Sequence, residues 1–460
     1  MKIPIRLIAT LALVSITGFL SWSSLSSKAT AEARTSKEAR YKSLAKGSVN
    51  YNKHIAPILH KNCATCHHAG EVAPFALMDY KDAKKRAKQL TLVTQSGLMP
   101  PWKAEHGFGE FAGEMRLTED EKGLLKQWAE DGMPEGSAVD KPAAPVFPKD
   151  WTVGTPDLIT EMPEAYQLGA SGNDEYRCFV IPTNYSEDRY IRSVEVKPGN
   201  RNIVHHVIAY LDTTGEGRKK DAADPALGYI TFGGPGIVPS GVMAGWAPGN
   251  QPYSLPDGIG VLLPKHADII MEVHYHKSGK AERDQTKIGL VFQKAPVDKR
   301  VRSAVVINPF LNIPAGKSGH PVEANVTLPG NVHILGATPH MHLLGTEMTV
   351  TAITPNGTTL PLVRIPKWDF NWQISYNFKE ALAVPKGTRL HLLAKYDNSS
   401  SNPNNPSSPP RDVRWGEQTT DEMCIAFVSY LVDDEHLLQG IEPQGYPDFV
   451  GGGRRKRQSR

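Results

Sequence analysis

The chain has 460 residues, with 52 Lys and Arg against 48 Asp and Glu for a net charge of +4. That length predicts roughly two to four domains, each able to bury its own core. So small and dispersed a positive balance excludes a nucleic-acid binder built on charge, and four cysteines are too few for a disulfide scaffold.

At the N-terminus, Lys2 and Arg6 flank the start of an apolar run over 7–20, which a polar stretch containing Ala29-Thr30-Ala31 follows. This order predicts a secretory signal peptide over 1–33, with a retained membrane anchor as the alternative. Either makes the remainder an exported protein, periplasmic or extracytoplasmic.

Residues 46–137 carry helical punctuation. Cys63-Ala64-Thr65-Cys66-His67 is a CxxCH motif, which attaches a c-type haem through Cys63 and Cys66 and puts His67 on the iron. A structural zinc would need four ligands, and the remaining cysteines, Cys178 and Cys424, lie far along the chain. Covalent haem attachment follows export in bacteria, so the motif and the N-terminus agree. A basic amphipathic helix is expected over 80–93. Thr118 and Glu121 form a capping box for another helix, with Leu124, Leu125 and Trp128 on one face. The stretch 107–112 only half fits a dinucleotide fingerprint, and neither a phosphate loop nor an HExxH zinc motif occurs.

Pro142, Pro145 and Pro148 mark 138–152 as a linker. Beyond it, β-rich runs such as 203–210, 269–275 and 348–353 alternate with Pro, Gly and Asn turns, which predicts two all-β sandwiches over 153–300 and 301–448. The fold expected is multidomain: a small all-α haem domain, then two jelly-roll-like β modules. Residues 449–460, ending in Arg454-Arg455-Lys456-Arg457, read as a solvated disordered tail.

Three histidine pairs fall in the β half. His205 and His206 are adjacent, so on a strand they point to opposite faces and reach one metal only at a strand end or bend. His274 with His276, and His340 with His342, share a strand face at period two and place imidazoles side by side, as suits copper or zinc. Met423 would add a thioether, a soft ligand favouring Cu(I). His266, His320, His333 and His391 read as structural.

In this order, His205-His206-Val207, Val273-His274-Tyr275-His276, His340-Met341-His342-Leu343-Leu344-Gly345, Asp397-Asn398-Ser399-Ser400, Trp415-Gly416 and Asp421-Glu422-Met423-Cys424 resemble the type II copper, ascorbate-dependent monooxygenases. That family includes the peptide-amidating and dopamine-hydroxylating enzymes, and the resemblance spans about 150–433. It implies two β-sandwich modules with one copper each. His205, His206 and His274 would form an electron-transfer site; His340, His342 and Met423 would form the catalytic site, where oxygen binds and the substrate C–H bond breaks. His276 falls outside the set unless a register slip of two puts it in place of His274.

The amidating branch holds its substrate's carboxylate with an arginine two residues before the HxH, and with an asparagine and a tyrosine two and four after the methionine. Those positions are Thr338, Ile425 and Phe427 here, which disfavours peptidylglycine and implies a less polar or differently anchored substrate. The family also pairs the cysteine after the methionine within its module. No second cysteine lies between 301 and 450, so Cys424 either stays reduced or bonds Cys178.

Residues 51–70 and 97–102 resemble the small bacterial c-type cytochromes. This implies Met99 as the sixth haem ligand opposite His67, with Met115 and Met133 as alternatives; a thioether there raises the haem potential. The combined expectation is an exported haem-containing copper monooxygenase acting on a small organic molecule and O2. The haem would relay electrons from a periplasmic donor to the His205/His206/His274 copper and on to the Met423 copper. The rival expectation is a non-catalytic electron-transfer or copper-handling protein.

Overall fold

Prolines and glycines beyond residue 150 cut the chain into short β-branched and apolar runs, and these runs form strands stacked in two layers, twice over. The computed structural model describes residues 41–446, apart from 72, 149, 232 and 233, and the backbone of a strand at Phe449–Gly451. The 1–33 segment and the Arg454-Arg455-Lys456-Arg457 run lie outside the described residues. Among the described residues no helix is long and apolar enough to cross a membrane.

In the first sandwich, strands Tyr229–Ile230, Glu175–Pro182, Asp268–Tyr275, Val204–Asp212 and Gly241–Trp246 lie side by side in that order. A second five-stranded sheet has Arg189–Lys197 at its centre. Phe179, Val207, Met271 and Val273 from the first sheet meet Ile191, Leu263 and Leu290 from the second in one core. Asp268–Tyr275 is buried at every position. Its odd residues enter that core, while its even residues Ile270, Glu272 and His274 are buried on the other face, so the strand loses the alternation of a half-exposed sheet.

The second sandwich pairs Tyr376–Val384, Val332–His340, Ile425–Val432, Arg302–Ile307 and Phe449–Gly451 in one sheet. His320–Thr327, Arg389–Tyr396, Gly345–Ile353 and Thr359–Ile365 form the other. Ile334, Val428 and Tyr430 pack on Val350, Leu362 and Leu392 between them. Residues 449–451, expected in the tail, instead run parallel to Arg302–Ile307, whose outer edge otherwise has unpaired backbone groups.

The modules join at Glu435, which is fully buried. Its carboxylate accepts from the Arg300 backbone N–H at 2.6 Å, from Arg300 Nε at 3.0 Å and from Arg302 Nη2 at 2.9 Å. Lys299–Arg300 pairs with the first module at Ile259 and Gly260, and Arg302 begins the second module's sheet.

Ahead of the sandwiches lie helices Ala56–Asn62, Tyr80–Gln95 and Glu119–Glu130, around a core containing Tyr51, Leu59, Leu90, Leu125 and Trp128. The capping box forms as the sequence predicts: Thr118 Oγ1 accepts from Glu121 N–H at 3.1 Å, and Glu121 Oε2 from Thr118 N–H at 2.8 Å. Ala104 and Phe111 leave this helical region and join the second sandwich's core, where Phe111 pairs with Phe378. Trp102 meets Tyr376 edge-on at 5.1 Å, a contact worth about 0.5–1.5 kcal/mol beyond area burial.

Candidate metal centre

A β-bulge builds the first histidine cluster. Val204–Asp212 pairs with Asp268–Tyr275 so that Val204 faces Tyr275 and His206 faces His274, leaving His205 as the extra residue. The bulge is the bend that adjacent histidines require to reach one point. His205 Nδ1 lies 3.2 Å from His206 Nδ1, which lies 3.4 Å from His274 Nδ1. One nitrogen from each of the three falls within a 4.8 Å group suited to a metal ion.

Behind the cluster, Asp174 accepts from His274 Nε2 at 2.9 Å. A carboxylate on the far ring nitrogen fixes the ring and raises its basicity as a ligand. The same carboxylate meets His276 Nδ1 at 2.9 Å and accepts from Thr419 Oγ1 of the second module at 2.6 Å. His276 follows the last strand residue, Tyr275, and its side chain is 64% exposed, so it meets Asp174 from the solvent side of the cluster.

The second cluster is held differently. His340 ends the Val332–His340 strand, and His342 lies two residues beyond it, just before a turn at Leu343 and Leu344. The HxH therefore straddles a strand end. His340 Nδ1 bonds Gln373 Oε1, and His342 Nδ1 donates to the Asp421 carbonyl at 3.1 Å. Both rings keep Nε2 for a ligand, and their centroids are 5.2 Å apart. Glu422 is buried, and its carboxylate accepts from the N–H groups of His342 at 2.9 Å, Leu344 at 2.6 Å and Met423 at 3.1 Å. One side chain thus ties the HxH turn to the methionine segment.

Burial pushes the imidazoles toward the neutral form that binds metal. His205 falls to about 3 and His340 to about 4, chiefly by desolvation, with neighbouring histidines adding to it at both. His206, His342 and His274 are lowered for the same leading reason. Burial pushes the Asp174 carboxyl up, but bonds from His274 and Thr419 outweigh it and hold it well below its ordinary value.

The clusters meet across the module junction. The His206 and His340 rings are 6.3 Å apart, and Phe370 stacks on His205 at 4.6 Å while meeting His342 edge-on at 5.8 Å. A cleft of about 520 Å³ opens there, walled by His206, His340, His342 and Met423 together with largely apolar side chains from both modules. Thr338, Ile425 and Phe427 are all in its wall. So is Glu272, whose buried Oε2 has no hydrogen-bond partner among the described residues and whose carboxyl rises to about 8 through burial and the nearby Glu417.

A second cleft of about 800 Å³ runs past Cys66 and His68 to Arg201, Trp246 and Gln251 of the first module. Cys66 lines it, and neither Cys63 nor Cys66 is in a disulfide. His67 Nδ1 donates to the Phe75 carbonyl at 3.0 Å, which leaves Nε2 as its ligand atom, the usual arrangement of a metal-bound histidine. His68 stacks on Phe147 of the 138–152 segment at 4.0 Å, and Glu71 pairs with Arg201 at 2.8 Å. Met99 is half-buried after the Tyr80–Gln95 helix, and neither it nor Met115 or Met133 belongs to the wall of this cleft.

Cys178 and Cys424 are fully buried free cysteines in the cores of different modules. His333 pairs with Asp433 at 2.6 Å and His391 with Glu323 at 3.4 Å, consistent with structural roles. Asp174, Gln373 and Phe370 carry no motif and enter the site only through tertiary contact.

Residues 315–440 match the family model described as copper type II ascorbate-dependent monooxygenase, C-terminal domain. The chain is 22% identical over 284 residues to human DBH-like monooxygenase protein 1, covering 55% of this chain and 43% of that protein. It is 25% identical over 305 residues to mouse DBH-like monooxygenase protein 2, covering 60% and 45%, and 23% over 333 residues to the human putative DBH-like monooxygenase protein 2, covering 66% and 62%. The chain spans about half the length of these curated relatives. These likenesses support copper and monooxygenase chemistry for its β region.

Proposed function

We propose that the protein is an exported copper monooxygenase that hydroxylates a C–H bond of a small organic substrate, with a covalently bound haem as its built-in reductant. The convergence of two histidine clusters from two sandwiches on one apolar cleft carries this reading. His205, His206 and His274 would hold one copper through Nδ1; His340 and His342 through Nε2, with Met423, would hold the other. Copper bound there supplies the one-electron steps by which O2 and a C–H bond give an alcohol and water, using two electrons and two protons.

The chain's own groups set the conditions. Asp174 and Gln373 fix ring orientation, and the apolar wall keeps water from the reacting bond. Thr338, Ile425 and Phe427 offer a substrate carboxylate no cation, so a substrate without a carboxylate is favoured. The helical region of 46–137 would hold the haem on Cys63 and Cys66, with His67 through Nε2 and Met99 as the residues that would bind its iron. Export is supported by the charged and apolar order of the N-terminus together with the CxxCH motif.

Elemental analysis with an optical spectrum of the purified full chain should give two coppers and one haem. Oxygen uptake on a panel of neutral and cationic C–H substrates should disappear in Met423→Ala. Copper and haem loading without oxygen uptake on any of them would favour the electron-transfer or copper-handling rival.

A further inference from the structure

A chain of contacts joins Cys66 of the CxxCH motif to His340 of the second cluster, through a loop that no motif marks. Gln251 Nε2 lies 3.9 Å from Cys66 Sγ. Its neighbour Asn250 accepts at Oδ1 from the Ser375 backbone N–H at 2.8 Å. Two residues before Ser375 is Gln373, whose Oε1 bonds His340 Nδ1.

The loop has little freedom. Asn250 N–H closes a turn on the Ala247 carbonyl at 3.0 Å. Gly249 has φ +91°, and a Cβ there would come within 3.2 Å of the Trp372 ring, next to Gln373. Asn250 and Ser375 line both clefts, the one beside Cys66 and the one beside the histidines.

We infer that the 247–252 loop is the electron-transfer contact between a haem on Cys66 and the His340 site, with Asn250 as its bridging residue. This rests on the proposed reading that the CxxCH motif holds haem and the histidine clusters hold copper. In the step one electron leaves ferrous iron, which becomes ferric, and one cupric ion becomes cuprous; no bond or proton is exchanged. A reduced small redox protein from outside restores the ferrous state. Electron tunnelling decays more steeply through space than along bonds, and the 3.9 Å step at Cys66 is the one loose link in this chain. With the His206 ring 6.3 Å from His340, the same entry serves both clusters.

The test uses the full chain loaded with haem and copper, without oxygen. A light-activated ruthenium dye reduces the haem, and its reoxidation is followed optically alongside loss of the cupric EPR signal. Wild-type haem should reoxidise only when copper is present. Asn250→Leu should slow this about ten-fold with haem spectrum and copper content unchanged, while Asn250→Asp, which keeps an acceptor oxygen, should restore the rate. Gln251→Ala, at an exposed side chain, should also slow it and decides the matter should Asn250→Leu lose copper. The double variant His205→Ala with His206→Ala should still reoxidise its haem. A wild-type rate in the Asn250→Leu and Gln251→Ala variants, or no reoxidation in the histidine double variant, overturns the inference and leaves haem-to-copper transfer standing. No reoxidation in the copper-loaded wild type overturns both.

Discussion

In the first sandwich, His205, His206 and His274 turn Nδ1 toward one another, while in the second His340 and His342 turn theirs away, to Gln373 and the Asp421 carbonyl. Nδ1 is the ring nitrogen nearer the backbone, so ligation through it keeps an ion close to the sheet. Nε2 reaches farther, so the second cluster presents its ligand atoms beside the cleft, together with a thioether. The contrast fits a division of labour: an all-nitrogen site held close to the sheet suits repeated electron exchange, and a mixed site with a thioether suits chemistry on a bound molecule.

This comparison fails first if the two sites do not load separately. His342→Ala should abolish oxygen uptake and remove one of two copper equivalents, leaving the other with three nitrogen ligands by X-ray absorption. Loss of both metals would mean one shared site. Next in size, Glu435→Ala should cost about 3–5 kcal/mol, measured by denaturant unfolding, because Arg302 loses the carboxylate it is buried against. Burial pushes the Glu435 carboxyl up, but bonds from Arg302 and the Arg300 N–H outweigh it and hold it below its ordinary value. Its stabilising share is therefore present above the ordinary carboxylate range near pH 4.3 and lost as pH falls below it. Glu435→Gln should flatten that acid limb of the stability curve.

Asp174→Ala should weaken copper at the all-histidine site about 10–100-fold, read by competition with a chelator, and leave the Met423 site unchanged. An equal effect at both sites would show that Asp174 acts by joining the modules through Thr419 instead. The smallest change is expected of Phe370→Leu. Losing its ring contacts with His205 and His342 should cost about 0.5–1.5 kcal/mol in thermal unfolding and lengthen the copper–copper distance seen by pulsed EPR.

Motifs made much of this legible. The Thr118 capping box, the β-rich runs and the spacing of the histidine pairs all act over a few residues, where local propensity and pattern decide. What the sequence could not show depends on partners. The bulge that turns His205 and His206 to one side exists only in the register between Val204–Asp212 and Asp268–Tyr275. The period-two spacing does bring His340 beside His342 and sets His274 and His276 on one carboxylate, although the strands themselves end at Tyr275 and His340. Asp174, Gln373 and the 247–252 loop are ordinary polar stretches in sequence, and only the docking of modules makes them neighbours of the site.

Glu422 has a consequence for how the protein acquires its metals. Its carboxylate fastens the backbone of His342 and Met423, residues far apart in the chain, through hydrogen bonds that use no metal-ligating atom. The order of the ligand set is thus established during folding. Copper meets a preorganised site, unlike a zinc finger, whose fold depends on the metal. Stripping copper with a chelator should therefore leave circular dichroism and cooperative unfolding of the second sandwich nearly unchanged, and reloading should need no refolding.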